Sequence, residues 1–120
     1  MTSIVLWVSD INRQANFYSA LLDAPITDES NEFCAVGDNR NSVLLHLLPA
    51  QYRITNSGLA PAQEEVAIKP VFKVDLIDEA FARTTALELR VSGNVAKYGE
   101  VSYQDCIDPE GNVIQLKQVL

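Results

Sequence analysis

The sequence contains few of the residues that build metal centres, disulfide scaffolds or nucleic-acid-binding surfaces. Its 120 residues include one histidine, two cysteines and nine lysines and arginines, against sixteen acidic residues. Cys34 and Cys106 lack the close spacing of zinc or redox motifs, so we predict that both are reduced structural residues. The net charge of −7 disfavours nucleic acid as a partner, because phosphate binding needs clustered basic side chains. An acidic surface suits a cationic small molecule, or simply keeps the protein in solution.

Long apolar runs are also missing. No stretch approaches the roughly 20 apolar residues of a membrane span. The N-terminus lacks the basic region, apolar segment and cleavage site of a signal peptide. We therefore expect no membrane partner and a cytoplasmic location. With 48% apolar residues, a chain of this length can bury one core, which predicts a single domain over residues 1–120.

The strand and helix signals that are present occur twice. A short β-rich run at 3–8 leads into Asp10 and an apolar stripe with helical spacing, which predicts a helix over 11–23. A similar run at 69–74 leads into Asp75, which we predict to cap a second helix. Repeats of this size usually form structural units that pack as a pair.

The ends of the two halves match as well. A strand over 43–48 in the first half has a counterpart over 113–117 in the second, and this match aligns His46 with Gln115. The sequence predicts an α+β fold of two βαβββ modules, which form a cupped mixed sheet with helices on the convex side. The predicted modules span about 1–48 and 67–120, with a linker over 49–66.

Five segments carry a family likeness: Val8-Ser-Asp10, Phe17-Tyr18, Leu21-Leu22, Tyr98-Gly99 and Asp108-Pro-Glu-Gly-Asn-Val-Ile-Gln-Leu116. Through these segments the chain resembles the vicinal oxygen chelate superfamily, which includes glyoxalase I, bleomycin-resistance proteins, fosfomycin-resistance enzymes and extradiol dioxygenases. The likeness covers nearly the whole chain, and the closing hairpin is its most specific part. The resemblance implies paired βαβββ modules that hold a ligand in a cup, and a homodimer, because relatives commonly complete their cups across a subunit contact.

In metal-dependent members, four inward side chains, usually His or Glu and sometimes Gln, come from the first and last strands of each half. Carried over by this resemblance, the positions are Ser3, His46, Lys69 and Gln115. A divalent cation needs three or four lone-pair donors within about 2.0–2.3 Å. Only His46 is a strong donor here, and the ammonium of Lys69 would repel a cation. We therefore expect no metal cofactor.

The same positions predict a polar floor for a small organic ligand. Strand alternation places Ser3 and Trp7 in the cup with His46, Lys69 and Gln115, and a few directed polar groups among apolar walls are typical of a ligand pocket. Other roles remain open at this point. Trp7 is a stacking platform or a core or dimer-interface residue, and His46 is a ligand contact or an interior group. Lys69 contacts the ligand, points its ammonium into solvent, or pairs with an acid such as Asp105 or Glu100. Tyr52, Tyr98 and Tyr103 line the mouth or merely pack.

Three functions follow from these observations. The first is metal-free binding of a small organic molecule, through Ser3, Trp7, His46, Lys69, Tyr103 and Gln115. The second is a metal-dependent lyase, isomerase or dioxygenase, or an enzyme that uses His46 as a general base. The third is a structural role in which the chain's own side chains fill the cup.

Overall fold

The computed structural model describes residues 2–54 and 60–120, and it confirms the α+β fold of two βαβββ modules. The first module has helix α1 and four strands, and the second has helix α2 and four strands. The elements are β1 (Ile4–Val8), α1 (Ile11–Leu22), β2 (Ile26–Thr27), β3 (Phe33–Gly37), β4 (Ser42–Leu47), β5 (Val71–Lys73), α2 (Ile77–Thr84), β6 (Arg90–Tyr98), β7 (Val101–Ile107) and β8 (Val113–Val119).

The two modules form two sheets with the same topology. The strand order is β1-β4-β3-β2 in the first sheet and β5-β8-β7-β6 in the second. In each sheet the first and last strands of the module are parallel neighbours, and the other pairs are antiparallel. The repeat read from the sequence is therefore a structural repeat. It also sets β1 and β5 at equivalent edges of their sheets.

One hydrophobic core joins the helices to one face of each sheet. Phe17, Tyr18 and Leu21 of α1 are fully buried. Strand residues alternate between this core and the opposite face, because successive side chains point to opposite sides of a strand. Val43 and Leu45 are fully buried, whereas the residues between and after them in β4 are partly exposed. We call the other face of each sheet, which the helices do not cover, the helix-free face.

The turn between β7 and β8 fastens the second module to the first. The carboxylate of Asp108 is fully buried and accepts hydrogen bonds from Gln14 and Tyr18 on α1, at 2.9 and 2.6 Å. The carboxylate of Glu110 accepts from the backbone N–H groups of Ser9 and Asp10, just before α1. Burial raises the pKa of Tyr18, and the adjacent Asp108 carboxylate raises it further. Tyr18 therefore stays a hydrogen-bond donor at neutral pH.

The turn between β3 and β4 makes the reciprocal contact. The carboxylate of Asp38 accepts hydrogen bonds from the backbone N–H groups of Arg40 and Asn41, as Asp108 does within its own turn. The side-chain amide of Asn41 both donates to and accepts from the backbone of Lys73, at 2.7 and 3.0 Å. It thereby covers part of the free edge of β5. The last turn of each module thus forms hydrogen bonds with the other module, at the junction between that module's first strand and its helix.

The start of α2 differs from the prediction. Asp75 does not cap the helix. Its carboxylate pairs with the guanidinium of Arg40 at 2.7 Å. The N-cap residue, immediately before α2, is Leu76, whose side chain forms no capping hydrogen bond. The N–H of Ile77 instead donates to the side-chain oxygen of Gln118, at 2.7 Å. A side chain from β8 therefore replaces the local cap.

The predicted linker has some regular structure in its described parts. Residues Ala50–Tyr52 form a short 3-10 helix, and Gln63 forms an isolated parallel bridge with Asn112. The N–H of Gln63 donates to the carbonyl of Gly111 at 2.8 Å. In the part of the chain that the structure describes, no helix is long and apolar enough to cross a membrane.

Candidate functional site

The helix-free face of the first sheet carries a row of three rings. Trp7, His46 and Phe33 are register partners on β1, β4 and β3. The indole and imidazole ring centroids are 5.0 Å apart, and the imidazole and phenyl centroids are 4.8 Å apart. Trp7 remains 58% exposed, so it is a surface platform on this face and not a core residue. Sequence reasoning found Trp7 and His46 through strand alternation but did not select Phe33.

Ser3 lies near the end of the same face, where its hydroxyl is bound to a neighbouring serine. Its Oγ donates to the Oγ of Ser42 at 2.8 Å. Between Ser3 and the aromatic row, Val5 is the register partner of Leu44, and both have exposed surface. The first sheet therefore offers an apolar and aromatic surface with His46 as its one titratable group.

The helix-free face of the second sheet carries a polar cluster around Asp105. One carboxylate oxygen of Asp105 accepts from the ammonium of Lys69 at 2.7 Å, and the other accepts from the side-chain amide of Gln115 at 3.0 Å. This arrangement confirms one of the roles considered for Lys69, its pairing with Asp105. Lys69 itself precedes β5, which is shorter than predicted and begins at Val71.

Two tyrosines extend this second face away from the polar cluster. Tyr98 and Tyr103 pack edge to face with ring centroids 6.0 Å apart. With Gln115 they line an open cavity of about 540 Å³, whose other walls are Ala96 and Val101. Tyr103 is the register partner of Lys117 on β8. Tyr103 and Gln115 thus line the same cavity, while Trp7 and His46 lie on the other sheet.

The strand registers correct one match between the two halves. In the first sheet, Val5 pairs with Leu44 and Trp7 pairs with His46. In the second sheet, the equivalent pairs are Val71 with Gln115 and Lys73 with Lys117. The counterpart of Gln115 is therefore Leu44, and His46 corresponds to Lys117. The match of His46 with Gln115 was therefore wrong by two residues.

Both cysteines are free and buried on the core side of their sheets. Burial raises the pKa of Cys34. Burial, with the nearby carboxylates of Asp108 and Asp105, raises the pKa of Cys106 to about 12. A thiol in this state is a poor nucleophile and a poor metal ligand at neutral pH. Neither cysteine therefore contributes to the chemistry of the helix-free faces.

The side chains at the four inward positions do not fit a divalent metal. Within residues 2–54 and 60–120, no three His, Cys, Asp or Glu side chains form a group that could hold a metal ion. The corrected register makes the set poorer, because it puts Leu44 in place of His46 as the counterpart of Gln115. The ammonium of Lys69 has no lone pair, and the carboxylate of Asp105 already accepts two hydrogen bonds. We derive no metal-dependent step for this chain.

A family model described as the Glyoxalase/Bleomycin resistance protein/Dioxygenase superfamily matches residues 1–116. A glyoxalase family protein from Bacillus cereus is 16% identical, with 100% of this chain and 93% of that chain covered and a TM-score of 0.75. A glyoxalase/bleomycin resistance protein/dioxygenase family enzyme from Burkholderia phytofirmans is 17% identical, with 98% and 97% covered and a TM-score of 0.70.

Fosfomycin resistance protein FosX from Listeria monocytogenes, whose structure contains Mn(II) and sulfate, is 16% identical, with 100% of this chain and 90% of that chain covered and a TM-score of 0.71. At these identities the structural similarities support the fold alone. No curated protein matches the sequence significantly.

Proposed function

Because this chain belongs to the Glyoxalase/Bleomycin resistance protein/Dioxygenase superfamily, we propose that it uses the cup of that fold to bind a small organic molecule without a metal. The contacts come from Trp7 and His46 on the first sheet and from Tyr103 and Gln115 on the second. Ser3 and Lys69 flank them. The chemistry is non-covalent binding: aromatic rings provide stacking surfaces, and the amide and imidazole provide directed hydrogen bonds.

The observation that carries this proposal is the exposed aromatic row of the first sheet. An indole that is 58% exposed, with its ring close to an imidazole, costs free energy in water unless something covers it. The third function, a structural role in which the chain's own side chains fill the cup, would be favoured if Trp7 and Leu44 packed onto Tyr103. The structure pairs Trp7 with His46 and Tyr103 with Tyr98, so this collapse does not occur. The helix-free faces remain open to a ligand.

A metal-dependent enzyme is the alternative within the same superfamily. It would need several imidazole or carboxylate donors to converge, and the donor chemistry of Ser3, Leu44, Lys69 and Gln115 argues against it. An enzyme that uses His46 as a general base would need a second group to orient the imidazole. The neighbours of His46 in register are Trp7 and Phe33, and within the described residues neither of these side chains forms a hydrogen bond with the imidazole. The arrangement therefore favours binding.

We expect protein purified without a histidine tag to contain less than about 0.1 equivalents of Ni, Zn, Fe, Mn or Co, because the donor set is poor. In a thermal-shift panel of cationic antibiotics and aromatic metabolites, at least one compound should raise the melting temperature. The shift should be equal with and without EDTA. Trp7, the only tryptophan, provides a second readout through quenching of its fluorescence. A stoichiometric metal whose removal abolishes the shift would contradict the proposal, as would a panel in which no compound binds.

We also propose a homodimer, in which a second copy lies over the helix-free faces and completes the cup, so that the ligand is enclosed between the two chains. Val5, Trp7 and Val71 on these faces are about half exposed, at 46%, 58% and 50%. Such apolar surface commonly marks an interface. Sedimentation velocity should give twice the mass of one chain, and Trp7→Glu should shift the population to monomer. Tyr52→Glu adds the same charge at another exposed aromatic residue, away from both sheets, and should leave the dimer intact. A wild-type monomer at tens of micromolar would refute the dimer.

A further inference from the structure

Lys73 and Lys117 lie side by side on the helix-free face of the second sheet. They are register partners on the parallel strands β5 and β8. Their neighbours Phe72 and Leu116 are buried in the core, so both lysine side chains project from the opposite face. Within the described residues neither lysine forms a salt bridge, whereas Lys69 pairs with Asp105. The two ammonium groups are therefore neighbours without a counter-charge.

This arrangement is unfavourable for the protein alone. Like charges directly opposite each other destabilise a sheet. On the helix-free face of β5 to β8 the one carboxylate is Asp105, and both of its oxygens already accept hydrogen bonds, from Lys69 and Gln115. The face is thus locally positive in a chain with a net charge of −7. An anion between Lys73 and Lys117 would remove the repulsion and form charge-assisted hydrogen bonds.

An apolar surface lies directly beside the two lysines. Tyr103 is the register partner of Lys117 on the next strand, and its ring packs against Tyr98. These tyrosines line the cavity of about 540 Å³ with Ala96 and Val101. An aromatic ring there would contact two tyrosines, and an acidic substituent would reach the ammonium groups. Neither feature alone would select a ligand class, but together they match a molecule with one apolar end and one anionic end.

We propose that the second sheet binds an organic anion with an aromatic body, with its acidic group between Lys73 and Lys117 and its ring against Tyr98 and Tyr103. This inference rests on the proposed function, because it names the ligand class for the same cup. It reverses the preference for cations that the acidic composition suggested. The local charge of a binding face, and not the net charge of the chain, decides which ligand is attracted at contact distance.

The test uses three ligands with the same naphthalene ring: 2-naphthoate, 2-naphthamide and 2-naphthylmethylammonium. In calorimetric titrations at low salt, we expect 2-naphthoate to bind at least about tenfold tighter than the amide, and the ammonium compound to bind weakest. Added salt should reduce the preference for the acid. Combining Lys73→Gln with Lys117→Gln should abolish that preference and leave the affinity for the amide unchanged.

Lys97→Gln is the matched control. Lys97 alternates with Ala96 and Tyr98 along β6, so it projects from the other face of the sheet. Lys97→Gln removes one positive charge, as each of the two substitutions in the double variant does, and should alter the affinity for 2-naphthoate by less than about twofold. A further readout needs no ligand: Lys117→Gln should raise the melting temperature of the free protein, because it relieves the repulsion.

Several results would overturn the inference. The amide binding as tightly as 2-naphthoate would do so, and so would Lys97→Gln weakening 2-naphthoate as much as the double variant does. Absence of binding by all three compounds would also overturn it. The EDTA-insensitive thermal shifts and the tryptophan quenching decide separately whether the cup binds ligands at all. The anion assignment can therefore fail while metal-free binding stands.

Discussion

Asp108→Asn is expected to lower the free energy of unfolding by about 3–5 kcal/mol, the typical cost of breaking a buried charged network. The Asp108 carboxylate is fully buried and receives hydrogen bonds from the side chains of Gln14, Tyr18 and Asn112 and from two backbone N–H groups of its own turn. An asparagine keeps one acceptor oxygen and replaces the other with a donor that faces donors. Donors of both modules would then be left without acceptors. Chemical denaturation of the two proteins measures the difference.

Asp38→Asn is the matched control for this prediction. Asp38 occupies the same place in the first module and accepts hydrogen bonds from the backbone of Arg40 and Asn41. However, it is partly exposed and contacts no helix residue of the other module through hydrogen bonds. We expect a cost of about 1 kcal/mol. Equal costs for the two substitutions would show that the contact with α1 adds nothing to the turn.

The Asp38 carboxylate also gives the control a pH dependence. Partial burial disfavours its charge, but the backbone hydrogen bonds from Arg40 and Asn41 and the charge of Arg40 outweigh this and lower the pKa of Asp38. A carboxyl whose pKa is lower in the folded state stabilises the fold above its unfolded pKa of about 3.9. This contribution disappears as the pH falls through the folded pKa. The effect of Asp38→Asn should therefore shrink in acid.

Elements with a clear local signal could be predicted from the sequence. The apolar spacing of α1 identified its buried face, and alternation in β1 and β4 placed Trp7 and His46 on the face away from the helices. Asp108-Pro-Glu-Gly111 predicted a turn, because Pro fixes φ and Gly permits a positive φ. These features depend on residues close together in the chain. Local patterns are sufficient to specify them.

Features that depend on distant partners could not be predicted in the same way. The partners of Asp108 on α1 lie about ninety residues away in sequence, and no local pattern identifies them. Strand β6 is long, although Gly93 interrupts it with a positive φ and a bulge. The side chain of Gln104 compensates by donating to the carbonyls of Ser92 and Gly93. The sequence shows Gly93, but it does not show that the Gln104 side chain donates to the carbonyls at the bulge.

Asp105 and Phe33 illustrate the same limit at the site. Asp105 was considered only as a partner for Lys69, although it also binds Gln115 and thereby organises the polar cluster. Phe33 lies beside His46 because of the antiparallel pairing of β3 and β4. The register of that pairing depends on the turn at Asp38. Only the strand registers show that His46 corresponds to Lys117 and not to Gln115.

Gly111→Ala is expected to cost about 2–4 kcal/mol of unfolding free energy, for two separate reasons. Gly111 has a φ of +91°, a conformation that is unfavourable for residues with a Cβ by about 1–2 kcal/mol. In addition, a Cβ at this position would lie 2.2 Å from the carbonyl oxygen of Pro61. Because the carbonyl oxygen is a backbone atom and the Cβ is fixed to the backbone of residue 111, neither can rotate away, and residues 60–63 must move. The hydrogen bond from Gln63 to the Gly111 carbonyl, at 2.8 Å, would then be lost, at a further cost of about 1 kcal/mol.

Gly99→Ala separates the two reasons. Gly99 also has a positive φ, of +65°, but a Cβ there would meet no atom within 4 Å. We expect this variant to lose about 1 kcal/mol, from conformational strain alone. Hydrogen exchange of the Gln63 amide should be faster in Gly111→Ala and unchanged in Gly99→Ala, because only the first substitution displaces the segment that carries it. Equal stability losses with an unchanged Gln63 amide would mean that the close approach of residues 60–63 to the turn does not contribute to the stability of the fold.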